Sequence, residues 1–115
     1  VGMESEQRPW GAWHVLDEGR GYKVKRIEVR PGERLSYQTH QHRSEHWTVV
    51  QGTATCTLDG ETFEVETGGS ADVAIGTAHR IANLHDEDLV VIEVQRGDYT
   101  GEDDIVRLDD DYGRA

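Results

Sequence analysis

At 115 residues the chain has room for one domain with a modest core and for no second one. Its 23 acidic against 12 basic residues give a formal charge of −11, which opposes attraction to nucleic acid or anionic lipid, so neither is expected as a partner. The uninterrupted apolar stretches are short, which predicts no membrane-spanning helix, no secretory leader and a cytoplasmic protein, and the single Cys56 excludes an internal disulfide or an all-thiolate metal site.

In chain order, residues 1–7 are expected to be a flexible N-terminus ahead of a single domain over 8–114. Short alternating runs follow at 22–30, 34–39, 45–51, 53–58, 61–66, 70–75, 79–84 and 88–96, each with the period of a strand. Pro31-Gly32, Gly52, Asp59-Gly60, Gly68-Gly69 and Gly76 punctuate them at the spacing of all-β sandwiches and barrels. Asp59-Gly60 between two such runs predicts a two-residue hairpin. No 3.6-residue period is found before residue 100, so a turn or two of helix is expected only over 102–106, where acidic residues suit a helix N-terminus. The charged tail beyond is expected to be a solvated cover segment. The fold class is therefore all-β, a single-domain jelly-roll β-barrel whose interior has room for a metal or a small ligand.

Seven of the twelve basic residues lie between Arg20 and Arg43. Lys23 and Lys25 share the parity of Ile27 and Val29, which turns both amines inward; the opposite phase, through Val24, leaves them in solvent. Glu93 and Gln95 share the parity of Leu89 and Val91, and a Glu93 facing inward needs a lysine partner such as Lys25. Trp10, Trp13 and Trp47 are candidates for the core or for stacking on a sugar, and Arg80, opposite in parity to His79, is expected to point outward.

The chemistry is concentrated between Gln38 and His46. Gln38, His40 and His42 share one strand face, Glu45 and Trp47 share one on the next, and His79 opens a later strand. Two histidines, a carboxylate and a neutral fourth donor suit a divalent first-row metal.

At these positions the chain resembles the cupin superfamily. Gly32, Gln38-x-His40, Glu45 and Gly52 have the spacing of its first motif with Gln in place of the first His; Gly68, Ala74, Gly76, His79 and Asn83 have that of its second with Ala74 replacing proline. More narrowly, RPWGAW at 8–13, YKVKRI at 22–27, the stretch 35–54, GTAHRIAN at 76–83, the stretch 92–107 and DDYGR at 110–114 look like the type II phosphomannose isomerase domain. In that family it is often fused behind a mannose-1-phosphate guanylyltransferase, no part of which is recognisable here. The resemblance implies a metal-dependent isomerase interconverting mannose 6-phosphate and fructose 6-phosphate, a sugar phosphate as its small-molecule partner and a homodimeric assembly. It also implies a divalent metal, zinc first, with Mn, Co, Ni and Fe as the other candidates. The ligand set is then Gln38, His40, Glu45 and His79, as in the Gln-x-His pair of type I phosphomannose isomerases, or it uses His40-x-His42 with Glu45 or His46 and leaves Gln38 outside.

His42, on the face of His40, is the candidate acid/base group; Arg43 is the candidate for charge stabilisation, Lys23 or Lys25 for binding phosphate, and Glu93 for lining the substrate site. The rival functions are an Fe(II) dioxygenase and a non-catalytic sugar-phosphate-binding module.

Overall fold

The computed structural model describes residues 4–114, and among these there is no helix. Two antiparallel sheets face each other. The first has the order β1 (Ser5–Arg8), β2 (Gly11–Gly19), β3 (Tyr22–Val29), β10 (Leu89–Gly97), β5 (Arg43–Gln51) and β8 (Ser70–Val73). The second runs β11 (Val106–Asp109), β4 (Tyr37–Thr39), β9 (His79–Ala82), β6 (Ala54–Leu58) and β7 (Glu61–Val65).

Alternation explains most of this. Along β3 the residues of one parity, Lys23, Lys25, Ile27 and Val29, are buried and those of the other are half-buried. The same holds in β5 for Arg43, Glu45, Trp47 and Val49. Each strand is thus apolar at one end of its inward face and charged at the other. The apolar ends meet in a core that includes Trp13, Ile27, Val49, Cys56, Ile81 and Leu89. The polar ends leave a cavity beside it. Burial without a charged partner raises the Cys56 thiol to about 11, in keeping with a small core residue. The Asp59-Gly60 turn forms as expected: both residues take positive φ, 46° and 84°, and Leu58 pairs with Glu61.

Three expectations are corrected. Residues 5–7, expected to be flexible, pair with β2 in β1, while residues 1–3 lie outside the described residues. No helix forms over 102–106; a turn leads into β11, which pairs with β4. Two carboxylate bonds decide this locally, since Asp104 accepts the backbone N–H groups of Gln41 and His42, both at 2.9 Å, and pins the arm across the β4–β5 turn. Arg80 does not end in solvent: it is 9% exposed, and its guanidinium donates to the carbonyls of Leu35 and Asp109.

Candidate metal centre and cavity

Glu45 is delivered by the inward parity of β5, His79 by the start of β9, and His40 by the first residue past β4. Their candidate ligand atoms all lie within 4.8 Å of one another, and all three residues are buried. Gln38 sits directly across from His79 in the β4–β9 pairing and lines the same cavity. Gln38 and His79 come from neighbouring strands of the second sheet and Glu45 from the first, so the group is completed where the two sheets close on each other.

The imidazoles are oriented from behind. Nδ1 of His40 lies 2.6 Å from the carbonyl of Asp104, and Nδ1 of His79 lies 2.8 Å from that of Thr77. A carbonyl only accepts, so both Nδ1 atoms donate, and the lone pairs of the neutral rings are on Nε2, facing Glu45. Those Nε2 atoms stand 3.1 Å and 3.6 Å from the two carboxylate oxygens. Electron-rich atoms this close call for a cation among them, and two imidazole nitrogens with a carboxylate are a good donor set for a divalent ion. Burial lowers His79, which keeps it neutral and able to ligate. For Glu45 burial works upward, but the donors around it, protonated Glu93 among them, and the charge of Arg43 outweigh it and hold the carboxyl well below its usual range.

Arg43 supplies a cation to this cluster. Its Nη2 donates to Glu45 at 2.9 Å and to His40 Nε2 at 3.1 Å, and its Nη1 is buried with no hydrogen-bond partner among the described residues. Glu93 lies beside them. The indole N–H of Trp47 donates to Glu45 at 3.0 Å and to Glu93 at 3.1 Å, and burial together with the Glu45 charge raises Glu93 to about 8, so it is protonated at neutral pH.

Of the other residues singled out in the sequence, Lys25 lines the cavity, 4.0 Å above the ring of Trp13 and 2.5 Å from Glu102. It pairs with Glu102 rather than Glu93, which needs no lysine once it is protonated. Lys23 is buried but does not line the cavity; its amine donates to the carbonyl of Thr100 at 2.9 Å and faces Glu102 at 3.7 Å. The expectation that His42 shares the face of His40 is corrected. Its side chain is 53% exposed, 3.5 Å from Asp98 and edge-on to Tyr99, outside the cavity. Residues 40–42 leave the strand where Asp104 holds their backbone, and strand parity lapses there. The same bend removes His42 from the cluster of donors, and His46 points away to Asp72 at 2.6 Å. All three tryptophans are buried and line the cavity where it meets the core. Sequence reasoning missed Arg8, Glu102, Arg107 and Arg114, all lining the cavity. The only signal for them was that they fall within the stretches carrying the family resemblance.

Comparison with known proteins agrees with this geometry. Residues 3–110 match the family described as mannose-6-phosphate isomerase C-terminal. The alginate biosynthesis protein AlgA of Pseudomonas aeruginosa is 51% identical over 94% of the chain, and the xanthan biosynthesis protein XanB of Xanthomonas campestris 50% over 94%. The mannose-1-phosphate guanylyltransferase ManC of Salmonella typhimurium is 48% identical, again over 94%. The chain spans only 22% to 23% of the length of these relatives. Among solved structures, an oxalate decarboxylase of Lactobacillus farciminis matches with a TM-score of 0.79 at 21% identity, over 92% of this chain and 33% of the other. The Cnp3 cupin domain of Schizosaccharomyces pombe matches with 0.72 at 19%, over 76% and 64%. The fold is thus the all-β cupin fold. The relatives also correct one expectation. They are biosynthetic proteins several times longer, of which this chain matches the C-terminal isomerase-like part, so interconversion of mannose 6-phosphate and fructose 6-phosphate is not a property carried to this chain. No helix among the described residues is long and apolar enough to cross a membrane.

Proposed function

The chain belongs to the mannose-6-phosphate isomerase C-terminal family, and from that premise we propose that it is a divalent-metal-holding domain that binds a phosphorylated sugar in its cavity. One observation carries the reading. In a chain of formal charge −11, five side chains lining the cavity are cationic, against three carboxyls of which Glu93 is held protonated. The field inside the cavity thus has the opposite sign to that of the molecule, which selects small anions.

His40, Glu45 and His79 would hold the ion, with the Gln38 carboxamide as fourth donor, and the N/O donor set favours zinc or manganese. When bound, the ion supplies a Lewis acid for ligand oxygens. Arg43 already bonds two of the three donor residues, and its buried Nη1, with no hydrogen-bond partner among the described residues, is left for a ligand. Trp47 and protonated Glu93 keep the Glu45 carboxylate in place. The names of the relatives, an alginate biosynthesis protein and a mannose-1-phosphate guanylyltransferase, support a phosphorylated sugar as the ligand.

The test is calorimetric titration of metal-stripped protein with Zn²⁺ and Mn²⁺, followed by mannose 6-phosphate, mannose 1-phosphate and mannose. The expected result is one tightly held ion per chain, lost in His40→Ala and His79→Ala, and a clear preference for the phosphorylated sugars. Metal uptake unchanged in both variants, or equal affinity for mannose and its phosphates, would overturn the reading.

A further inference from the structure

Resting on that reading, we propose that Arg8, Arg107 and Arg114 form the seat of the ligand's phosphoryl group, two strands away from the metal donor His79. The three guanidiniums reach one cavity from three separate stretches: the end of β1, the middle of β11 and the turn beyond β11. Arg8 is set by Glu6 at 3.2 Å and lies over the Trp13 ring at 5.8 Å, while Arg114 is set by Asp110 at 2.8 Å. Burial and the charges of Arg114 and Arg8 all weaken the hold of Arg107 on its proton, against the pull of Asp110. All three guanidiniums line one cavity and Arg8 and Arg114 are part-buried there, so an incoming anion can meet them together. Planar guanidiniums match the oxygens of a phosphoryl group with paired N–H donors.

The spacing fits the ligand class. Arg107 lies directly across from Gln38, and Gln38 directly across from His79, so the three side chains share one row on the inner face of the second sheet. Two strand spacings separate the anion seat from the metal donor, about 10 Å. An extended hexose phosphate has that reach, with its carbonyl end at the metal and its phosphoryl end at the arginines. The lysines near the cavity are less suited: Lys25 holds Glu102, and Lys23 is spent on the Thr100 carbonyl and Glu102.

The full chain, loaded with zinc, is titrated with mannose 6-phosphate and with mannose, using wild type, Arg107→Met, Arg8→Gln, Lys23→Met and Lys25→Met. Losing a charge-assisted bond is expected to cut affinity for the phosphorylated sugar by about tenfold or more in each arginine variant. Affinity for zinc and for mannose should stay within about twofold, and Lys23→Met should behave as wild type. If Arg107→Met fails to fold by its thermal melt, Arg8→Gln carries the test alone. A preference for the phosphorylated sugar that survives both arginine changes, or that vanishes only in Lys25→Met, overturns the placement. A wild type without that preference defeats the parent reading instead, so the two failures are told apart.

Discussion

Glu93 is a carboxyl group with no room for a charge, because it is buried beside Glu45 and its donors, the Trp47 indole and the Gln95 carboxamide, are neutral. It remains protonated and donates, which Gln also does. Glu93→Gln is therefore expected to stay within about 1 kcal/mol of wild type in urea denaturation, while Glu93→Ala leaves Trp47 and Gln95 short of a partner and costs about 2–3 kcal/mol. His40 and His79 are held by single carbonyls through Nδ1. Replacing either by Gln keeps a polar group but not an aimed nitrogen, and zinc affinity should fall by about 100-fold or more, measured by competition with a chromophoric chelator. At this scale much was legible from the sequence. Motif spacing brought out Gln38, His40, Glu45 and His79, whereas the position of His42 was not legible, because parity holds only while the backbone is a strand and ends at the Asp104 clamp.

Among the elements, the segment after residue 100 departs furthest from its expected form. Its composition reads as a solvated tail, yet it supplies Glu102 to the lysines, Asp104 to the β4–β5 turn, and Arg107 and Arg114 to the cavity. Its end is tied by Arg114 to Asp110, whose carboxyl is pulled down to about 2, chiefly by that hydrogen bond. A folded-state value below the unfolded one means that the stabilisation is full above about pH 4 and is lost as pH falls toward 2. Asp110→Asn should thus melt several degrees below wild type at pH 7, by about 1 kcal/mol, with the gap closing on acidification toward pH 2. Strand β10 is the opposite kind of element, central in its sheet and apolar over Leu89, Val90 and Val91. Leu89→Ala is expected to cost about 2–5 kcal/mol, since the fully buried side chain leaves a cavity that neighbours on two strands cannot refill.

For the whole molecule the separation of charge is the main physical fact. The formal charge of the chain is −11, while the cationic lining gives the cavity a field of the opposite sign that favours an anion. An ion held by residues from β5, β9 and the end of β4 would tie both sheets together. Zinc at about 100 times its dissociation constant should raise stability by about 2.7 kcal/mol, seen as a rise of several degrees in melting temperature. The shift should be absent in His79→Ala.

The sequence by itself determined the all-β class, most of the strands, the Asp59-Gly60 hairpin and the grouping of His40, Glu45 and His79. Alternation, turn chemistry and motif spacing are local properties, and local properties survive into the fold. Only the tertiary structure decided that Lys25 answers to Glu102, that Glu93 shares its environment with Glu45 and Trp47, and that three arginines spread between residues 8 and 114 line one cavity. Each of these depends on which strands become neighbours when the sheets close. That is set by the burial of the whole core, and no pattern within one strand encodes it.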